Sequence, residues 1–494
     1  MEKSILHFNE VCVGVFDKLV ADFYKDPTNI ADFVTGITDE IHSWGLMLIQ
    51  ETLEDMDQML RDSGKRKTKW VIEKTPKEPN KSLVTSLGTV HFKKTLFANK
   101  KNGEMCYLLD RIMGIEKHER ITEDAVAGLL EEAVQTSYRR GGEAASIMDK
   151  VSKQTVKNVI HGLKFPQGWK EPAKKRKVDY LYVEADEDHI SLQYRESKGD
   201  IIRLPSGRKN NGAMSKLIYV HEGIEPEAPM SKRNRLINPH YFSRTAQGCS
   251  NNELWDGVYH YIEANYDVDS IKKIYLSSDG GGWISNGARR IHGITHLLDQ
   301  YHLEQHLNVI SRHMLDSKAE VKEELHRIIC KGTKKDFISY VSELKEYLSE
   351  SNKIKRFEES SEYILNNWSA SKYRLKKMEG KVGSSTEGHV SHVLSSRMST
   401  NALGWSLKGA DKMAQLRAYY LNGGNMLELV RYQKEELSLA AGGEYQTYID
   451  KEKIAKRKDV SNTELYRFHD RIQAHLAVDV KKKVYFQEHI WIDI

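Results

Sequence analysis

The sequence predicts an α/β fold: a core of strands and helices at residues 179–303, a helical insertion at 304–380, and a helical and β-hairpin region ahead of both. Three observations carry this. Strand-like runs at Tyr180–Ala185, Ile190–Tyr194, Leu217–Val220, Ile274–Leu276 and Ile294–Leu298 are interrupted by an amphipathic helix at Glu253–Ala264 and by a second helix before the last run. Residues 300–380 lose the strand signal and are rich in Lys, Glu and Leu at helical steps. A conspicuous helical segment then opens at Ser385.

A chain of 494 residues has room for several domains at roughly 150 residues each. With 39% hydrophobic and 29% charged residues and only 9 prolines, the composition excludes global disorder. A net charge of +5, from 75 basic against 70 acidic residues, gives little overall pull on a polyanion. Any such pull must come from local clusters such as Lys65–Lys69, Lys93–Lys101, Arg139–Arg140 and Lys170–Lys177. The cysteines, Cys12, Cys106, Cys249 and Cys330, lie far apart without C-x-x-C pairing or a flanking His at zinc spacing, which predicts a reducing compartment and no structural zinc. Apolar runs fall short of the roughly 18 residues of a membrane span, so the expectation is a cytoplasmic protein with no membrane partner.

Along the chain, residues 1–63 carry helical periodicity and 64–122 a small β-hairpin-containing unit. In the latter, Gly88–Phe97 alternates with basic positions outward, and Asn102-Gly103 makes a turn. Residues 123–163 suggest a helix-turn-helix: a first helix through Glu143–Met148, a turn at Asp149–Val151, and a second helix capped by Ser152. There Val156, Val159, Ile160 and Leu163 form one apolar stripe, leaving Lys153, Gln154, Lys157, Asn158 and His161 outward. Gln and Asn can read adenine edges and Lys can hold phosphates, so this face is a candidate DNA-binding surface; the alternative is an ordinary helical hairpin. Residues 164–178, with two prolines and a dense basic run, look like a linker.

From residue 179 the order is three strands, a helix, a strand, a helix and a strand, that of a ribonuclease-H-like core. Residues 381–494 would supply the final core helix and a helical C-terminal region. Acids at neighbouring strand ends can hold hard divalent cations, and two such ions about 3.5–4 Å apart stabilise both attacking and leaving oxygens in phosphoryl transfer. Asp186 closes the first run, but Glu184 and Asp188 share its face, and parity does not separate the three. Asp279 ends the fourth run and is followed by Gly280, Gly281 and Gly282, where an α/β sheet builds sites. Asp299 and His302 follow the fifth run as D-x-x-H, suited to supporting a metal site or steering a phosphate. Glu387 falls in the first turn of the helix capped by Ser385. His389 and His392 lack a third ligand at a recognised spacing, so no zinc site is expected of them.

Four blocks in order, Tyr182–Asp186, Tyr275–Ile284, Leu298–His302 and Gly383–Arg417, make the chain resemble the ISLre-type insertion-sequence transposases of bacteria, and more distantly the Mutator-like transposases. The resemblance covers essentially the whole chain. It implies a DDE triad of Asp186, Asp279 and Glu387 binding two Mg²⁺ ions, for which Mn²⁺ substitutes. It also implies double-stranded DNA partners, namely terminal inverted repeats and target DNA, at least a dimer on DNA, and a place at the bacterial nucleoid. Asp188, Asp299, His302, Arg397 and Arg417 are then supporting or phosphate-contact candidates. One departure is Glu187, where related enzymes often place Gly, which keeps Asp188 open as the first acid. The alternatives are a DNA-binding regulator or domesticated remnant, and a ribonuclease-H-like nuclease without strand transfer.

Overall fold

The computed structural model describes residues 2–166, 168, 172–193, 211–246, 248–384, 386–400 and 404–434, with backbone alone at residues 2, 386 and 387. The chain divides into two units, one holding Met1–Val126 and Glu143–Lys150, the other Ala127–Gly142 and Val151–Tyr432.

The first unit opens with α1 (Glu2–His7), a π-helical turn at Phe8–Cys12, α2 (Val13–Lys25), α3 (Ile30–Asp62) and α4 (Gly64–Lys69). Strands β1 (Trp70–Lys74), β2 (Lys81–Val84), β3 (Thr89–Phe92), β4 (Leu96–Asn99) and β5 (Met105–Tyr107) follow, then α5 (Leu108–Ile112). They pair as β1-β4-β5 and β2-β3, and Leu53 and Leu60 of α3 pack with Trp70, Phe92, Phe97 and Leu108. The alternating run Gly88–Phe97 is two strands, not one, because its middle turns inward. Lys94 is buried in an ion pair with Asp110, and the Thr95 hydroxyl donates to Asp57 at 2.6 Å. Lys94 is therefore not an outward basic position.

Helices α6 (Glu123–Ala133), α7 (Tyr138–Ala144) and α8 (Lys153–Gly162) come next. The first helix of the expected helix-turn-helix ends at Ala144, well short of Met148. Beyond it the backbone bonds elsewhere: the Ile147 amide donates to the Ser86 carbonyl, and the Asp149 carboxylate accepts from the Thr89 amide at 2.6 Å. The connection Ala145–Val151 is thus longer than the 3–4-residue turn of that motif. Ser152 caps α8, its hydroxyl accepting from the Thr155 amide at 3.2 Å. The basic stretch before residue 179 is tied down: Arg176 pairs with Glu222 at 2.6 Å and lies over the Tyr266 ring, and Lys175 donates to the Glu263 carbonyl.

The second unit is built on a mixed five-stranded sheet, so the protein is a mixed α/β protein. Its strands are β6 (Tyr180–Ser191), β7 (Gly212–His221), β10 (His240–Thr245), β11 (Lys273–Ser278) and β12 (Ile294–Leu298), in the order β10-β7-β6-β11-β12; β8 (Ile224–Pro226) and β9 (Asn234–Leu236) form a separate ribbon. β7 and β10 run antiparallel to their neighbours, while β6, β11 and β12 are parallel. The runs Tyr180–Ala185 and Ile190–Tyr194 are one strand as far as Ser191, and Tyr194 lies outside the described residues. Asp, depleted in strands, gives Asp186-Glu187-Asp188 the look of a terminus, yet pairing with Leu217, Lys216 and Ser215 of β7 carries β6 through it.

Alternation gives the sheet two faces. Leu181, Val183, Ala185, Ile274 and Leu276 face α9 (Asn251–Asn265) and α10 (Gly282–Ala288), packing on Leu254, Trp255, Val258 and Ile284. A Cβ at Gly287 would lie 1.9 Å from the Trp255 indole, so this helix approach requires glycine. Tyr182, Tyr275 and Leu297 face the other way, against Tyr180, Met378 and Val382. Between β12 and the later core helices stand α11 (Gln300–Ser311), α12 (Lys318–Lys331), α13 (Lys334–Lys345), α14 (Ser351–Asn366) and α15 (Trp368–Leu375), with a core of their own around Leu303, Leu325, Phe337 and Phe357. The helices α16 (Thr386–Val390), α17 (Ser396–Met398), α18 (Leu407–Leu421) and α19 (Met426–Tyr432) follow. α16 packs against β6, and α18 along β10, where Asp411 pairs with Arg244 at 3.0 Å.

Candidate active site

The register of the parallel strands sets the site. Ala185 of β6 pairs with Ser278 of β11, which pairs with Leu298 of β12. The next residue on each is an acid: Asp279 and Asp299 follow the carboxyl ends of β11 and β12, where open α/β sheets bind ligands, and Asp186 stands in line with them within β6. Asp186 stands at a fork. Pairing with β11 stops just before it, while pairing with β7 continues through Asp186 and Leu217.

The three acids sit in different electrostatic surroundings. Burial pushes the Asp186 carboxyl up to about 7; the Glu187 amide opposes this, and the charge of Asp279 adds to it. Asp299 is buried too, which works to raise it, but hydrogen bonds from His302 and Ser384 outweigh burial and hold it at about 2. Its Oδ1 accepts from the Tyr301 amide at 3.0 Å and the His302 amide at 3.3 Å, and lies 3.2 Å from His302 Nδ1. Asp299 is thus the N-cap of α11 and the orienter of His302. That hydrogen bond to Asp299, with the charges of Asp186 and Asp279 nearby, shifts His302 upward towards imidazolium.

Asp279 is held by its own turn. Oδ1 accepts from the Gly281 amide at 2.9 Å, and the Asp279 carbonyl accepts from the Tyr363 hydroxyl. Gly280 has φ +84°, and a Cβ there would lie 2.3 Å from the Asn367 amide, so only glycine fits. Tyr363 stacks on His306 with ring centroids 3.9 Å apart. Burial, and then Asp279, Asp299 and Asp186, raise its phenol, which therefore stays a neutral donor. His296 accepts from or donates to the Ser278 hydroxyl at 2.8 Å and is driven down to about 4 by burial, so it is neutral.

Arg374 of α15 fastens these strand ends from behind. Nε donates to the Leu298 carbonyl at 2.6 Å, Nη1 to the Val382 carbonyl at 3.2 Å, and Nη2 to the Ser277 hydroxyl. Glu184 is 2% exposed and bonded to the Tyr219 hydroxyl at 2.9 Å, His221 Nε2 at 3.2 Å and the Ser384 hydroxyl at 3.3 Å. It is a fully engaged core acid, which sets it apart from Asp186. Tyr363, Arg374, Tyr219 and His221 were not foreseen from sequence. None lies in a strand-end motif, and only folding brings them there.

The other candidates fall as follows. Glu387 lies in α16, but its side chain and Ser385 are outside the described residues. Asp188 accepts from the Ser399 hydroxyl at 2.7 Å, and Glu187 from the Trp283 indole, whose ring faces Lys216. Arg397 and Arg417 are not at the acids and do not face open solvent. They are 4% and 7% exposed, and they donate to the Ala133 and Val393 carbonyls at 3.0 and 2.7 Å. Burial lowers both, that of Arg397 to about 10. Both guanidiniums are engaged by main-chain carbonyls. On α8, Val156, Ile160 and Leu163 are buried, Lys153, Gln154, Lys157 and Asn158 are exposed, and His161 is half-buried. Gln154 donates to Asn158 at 2.9 Å, and burial, with Lys157 and Lys408, lowers His161.

Fold and site together define a mixed α/β protein with a row of acids in line across three adjacent parallel strands, Asp186 within β6 and Asp279 and Asp299 just past the ends of β11 and β12. The chain belongs to the uncharacterised protein family UPF0236, whose model matches residues 24–436. Among its relatives are UPF0236 proteins of Caldanaerobacter subterraneus subsp. tengcongensis. One is 33% identical over 437 residues, 88% of this chain and 86% of the relative, and its name joins eleven locus designations. A second, at the same identity and share of this chain and 86% of its own length, carries four. The solved Drosophila P element transposase strand transfer complex is similar at 12% identity and a TM-score of 0.22, over 66% of this chain and 84% of that one, a likeness too slight to support a reading. No helix among the described residues is long and apolar enough to cross a membrane.

Proposed function

We propose that the chain is a DDE transposase of an ISLre-type insertion sequence that binds terminal inverted repeats and cleaves and rejoins DNA there. The observation that carries this reading is the adjacent placement of Asp186 and Asp279 just past the last paired residues of parallel β6 and β11 in a β10-β7-β6-β11-β12 sheet, with the helix of Glu387 packed on β6. That strand order is the one a ribonuclease-H-like core takes. Relatives named for many loci of one genome fit a gene that moves or copies itself.

The donor set fits hard divalent cations: it is all oxygen, and Asp186 is pushed up by burial and by Asp279, a strain that positive charge relieves. Asp186, Asp279 and Glu387 would hold Mg²⁺, or Mn²⁺ in its place. Two such ions, when bound, activate water or a 3′-hydroxyl and offset the charge that develops on the phosphate. The chain's own residues orient that chemistry. Asp299 engages His302 at Nδ1, which leaves Nε2 to donate to a phosphate oxygen. Tyr363 and Arg374 fix the backbone from which Asp279 and Asp299 project. The exposed side chains of α8 supply a polar face for DNA.

The test is a supercoiled plasmid carrying the element's ends, incubated with the protein and Mg²⁺ or Mn²⁺. A transposase yields nicks at the element boundary and inserts flanked by short direct duplications. Free ends alone would mark a nuclease, and specific binding without cleavage a regulator or remnant. Lys157→Ala should weaken binding to all sequences alike and lower the slope of log affinity against log salt by about 1.

The Asp186 shift also sets a pH dependence. Its folded value lies above that of the unfolded chain, so its contribution to stability is full below the ordinary carboxylate range and is lost as pH rises towards about 7. A cation that replaces the proton reverses the loss. Thermal melts should show Mg²⁺ raising Tm at pH 8 and having little effect at pH 5; an equal effect at both would remove Asp186 from the cation site.

A further inference from the structure

Among the described residues, three possible ligands from different parts of the first unit bring their donor atoms within 4.8 Å of one another: His7, Cys12 and Glu40. We propose that they form a site for one divalent cation of the zinc class, separate from the strand-end acids. The expectation of no structural zinc rested on the missing C-x-x-C pairing and on the lack of a flanking His at zinc spacing, but these ligands converge through helix geometry and packing instead.

The local backbone is what brings the first two together. In an α-helix, residues five apart point roughly 140° away from each other. Here α1 passes into the π-helical turn Phe8–Cys12, in which the Val13 amide donates to the Phe8 carbonyl. The wider turn draws residues five apart onto one side, and single π turns recur at functional sites. Glu40 comes from α3, whose register against α1 is fixed by several bonds. The Trp44 indole donates to the Ser4 carbonyl at 3.0 Å, the Lys3 and Ser4 amides both donate to Glu51 at 2.8 Å, and the Phe8 and Trp44 rings lie 5.2 Å apart.

Burial singles out the same place. Cys12 is 0% exposed, whereas α2, which begins at the next residue, has no buried side chain. Its burial therefore belongs to this contact and not to a general helical core. The donor chemistry selects the ion: sulfur, nitrogen and oxygen suit Zn²⁺, and thiolate does not suit Mg²⁺. Three protein ligands leave a fourth position for water or another donor. Binding replaces the thiol proton with the metal and releases that proton to solvent, with no change of oxidation state. A cation here would lock α1 to α3.

The full chain titrated with Co²⁺, and with Zn²⁺ in competition, tests this. One equivalent of Co²⁺ should give thiolate-to-metal charge-transfer absorption that Zn²⁺ displaces. Cys12→Ser should abolish it. Glu40→Gln, which keeps the thiol, should weaken Co²⁺ binding at least roughly tenfold, since even partners outside a ligand set cost that much. Asp279→Asn should leave the absorption intact, which separates this site from the proposed catalytic one. Absence of the band in the intact protein, its survival in Cys12→Ser, or unchanged affinity in Glu40→Gln overturns the proposal.

Discussion

Asp279→Asn should reduce metal-dependent cleavage at the element's ends by at least about a thousandfold while leaving DNA binding and folding intact. The substitution keeps shape and removes charge. Asn retains a carbonyl oxygen to accept from the Gly281 amide, and the Tyr363 bond is to the main-chain carbonyl, so the turn survives. What is lost is one anionic ligand between Asp186 and Asp299. A bound cation contributes several kcal/mol to a phosphoryl-transfer transition state, and about 4 kcal/mol corresponds to about a thousandfold in rate. Single-turnover nicking of a plasmid bearing the element's ends, with binding and thermal melts measured on the same preparations, checks this. A variant that cleaves within tenfold of the intact protein would move the chemistry away from Asp279.

The second large effect concerns stability. Arg374→Met should destabilise the second unit by several kcal/mol, seen as a lower denaturant midpoint with unchanged slope. Arg374 is 5% exposed and satisfies the Leu298 carbonyl, the Val382 carbonyl and the Ser277 hydroxyl. Its charge also faces Asp299 and Glu184. Methionine fills similar volume but leaves buried acceptors unmet, at about 1–3 kcal/mol each, and leaves acids without their cation. Arg374→Lys should recover little, because an ammonium cannot span three acceptors set around a planar fork. If either variant melts with the intact protein, the guanidinium is not what holds these strand ends.

The elements around the site followed from local pattern. Short strand-like runs marked β11 and β12, and glycines after Asp279 marked a tight turn at a strand end. Parity gave Glu184, Asp186 and Asp188 the same face and could go no further. Their difference lies in what stands opposite: His221, Tyr219 and Ser384 enclose Glu184, Ser399 engages Asp188, and Asp186 meets the charge of Asp279. Arg397 and Arg417 show the converse. A run rich in family-like residues suggested phosphate contacts, whereas the fold turns both guanidiniums onto main-chain carbonyls.

By itself the sequence determined where β11, β12 and the helices α9 and α11 to α15 fall, because helix and strand periods are written in neighbouring residues and the hydrophobic effect acts on them locally, whereas it split β6 in two and did not show β10. It also determined that Asp279 and Asp299 would stand where β11 and β12 end. Tertiary structure alone decided which strands are neighbours, that β6 continues through Asp186, that Ala185, Ser278 and Leu298 share one line, and that His7, Cys12 and Glu40 meet. Pairing and register depend on contacts between residues far apart in the chain, and an alternating pattern specifies a face without specifying its partner.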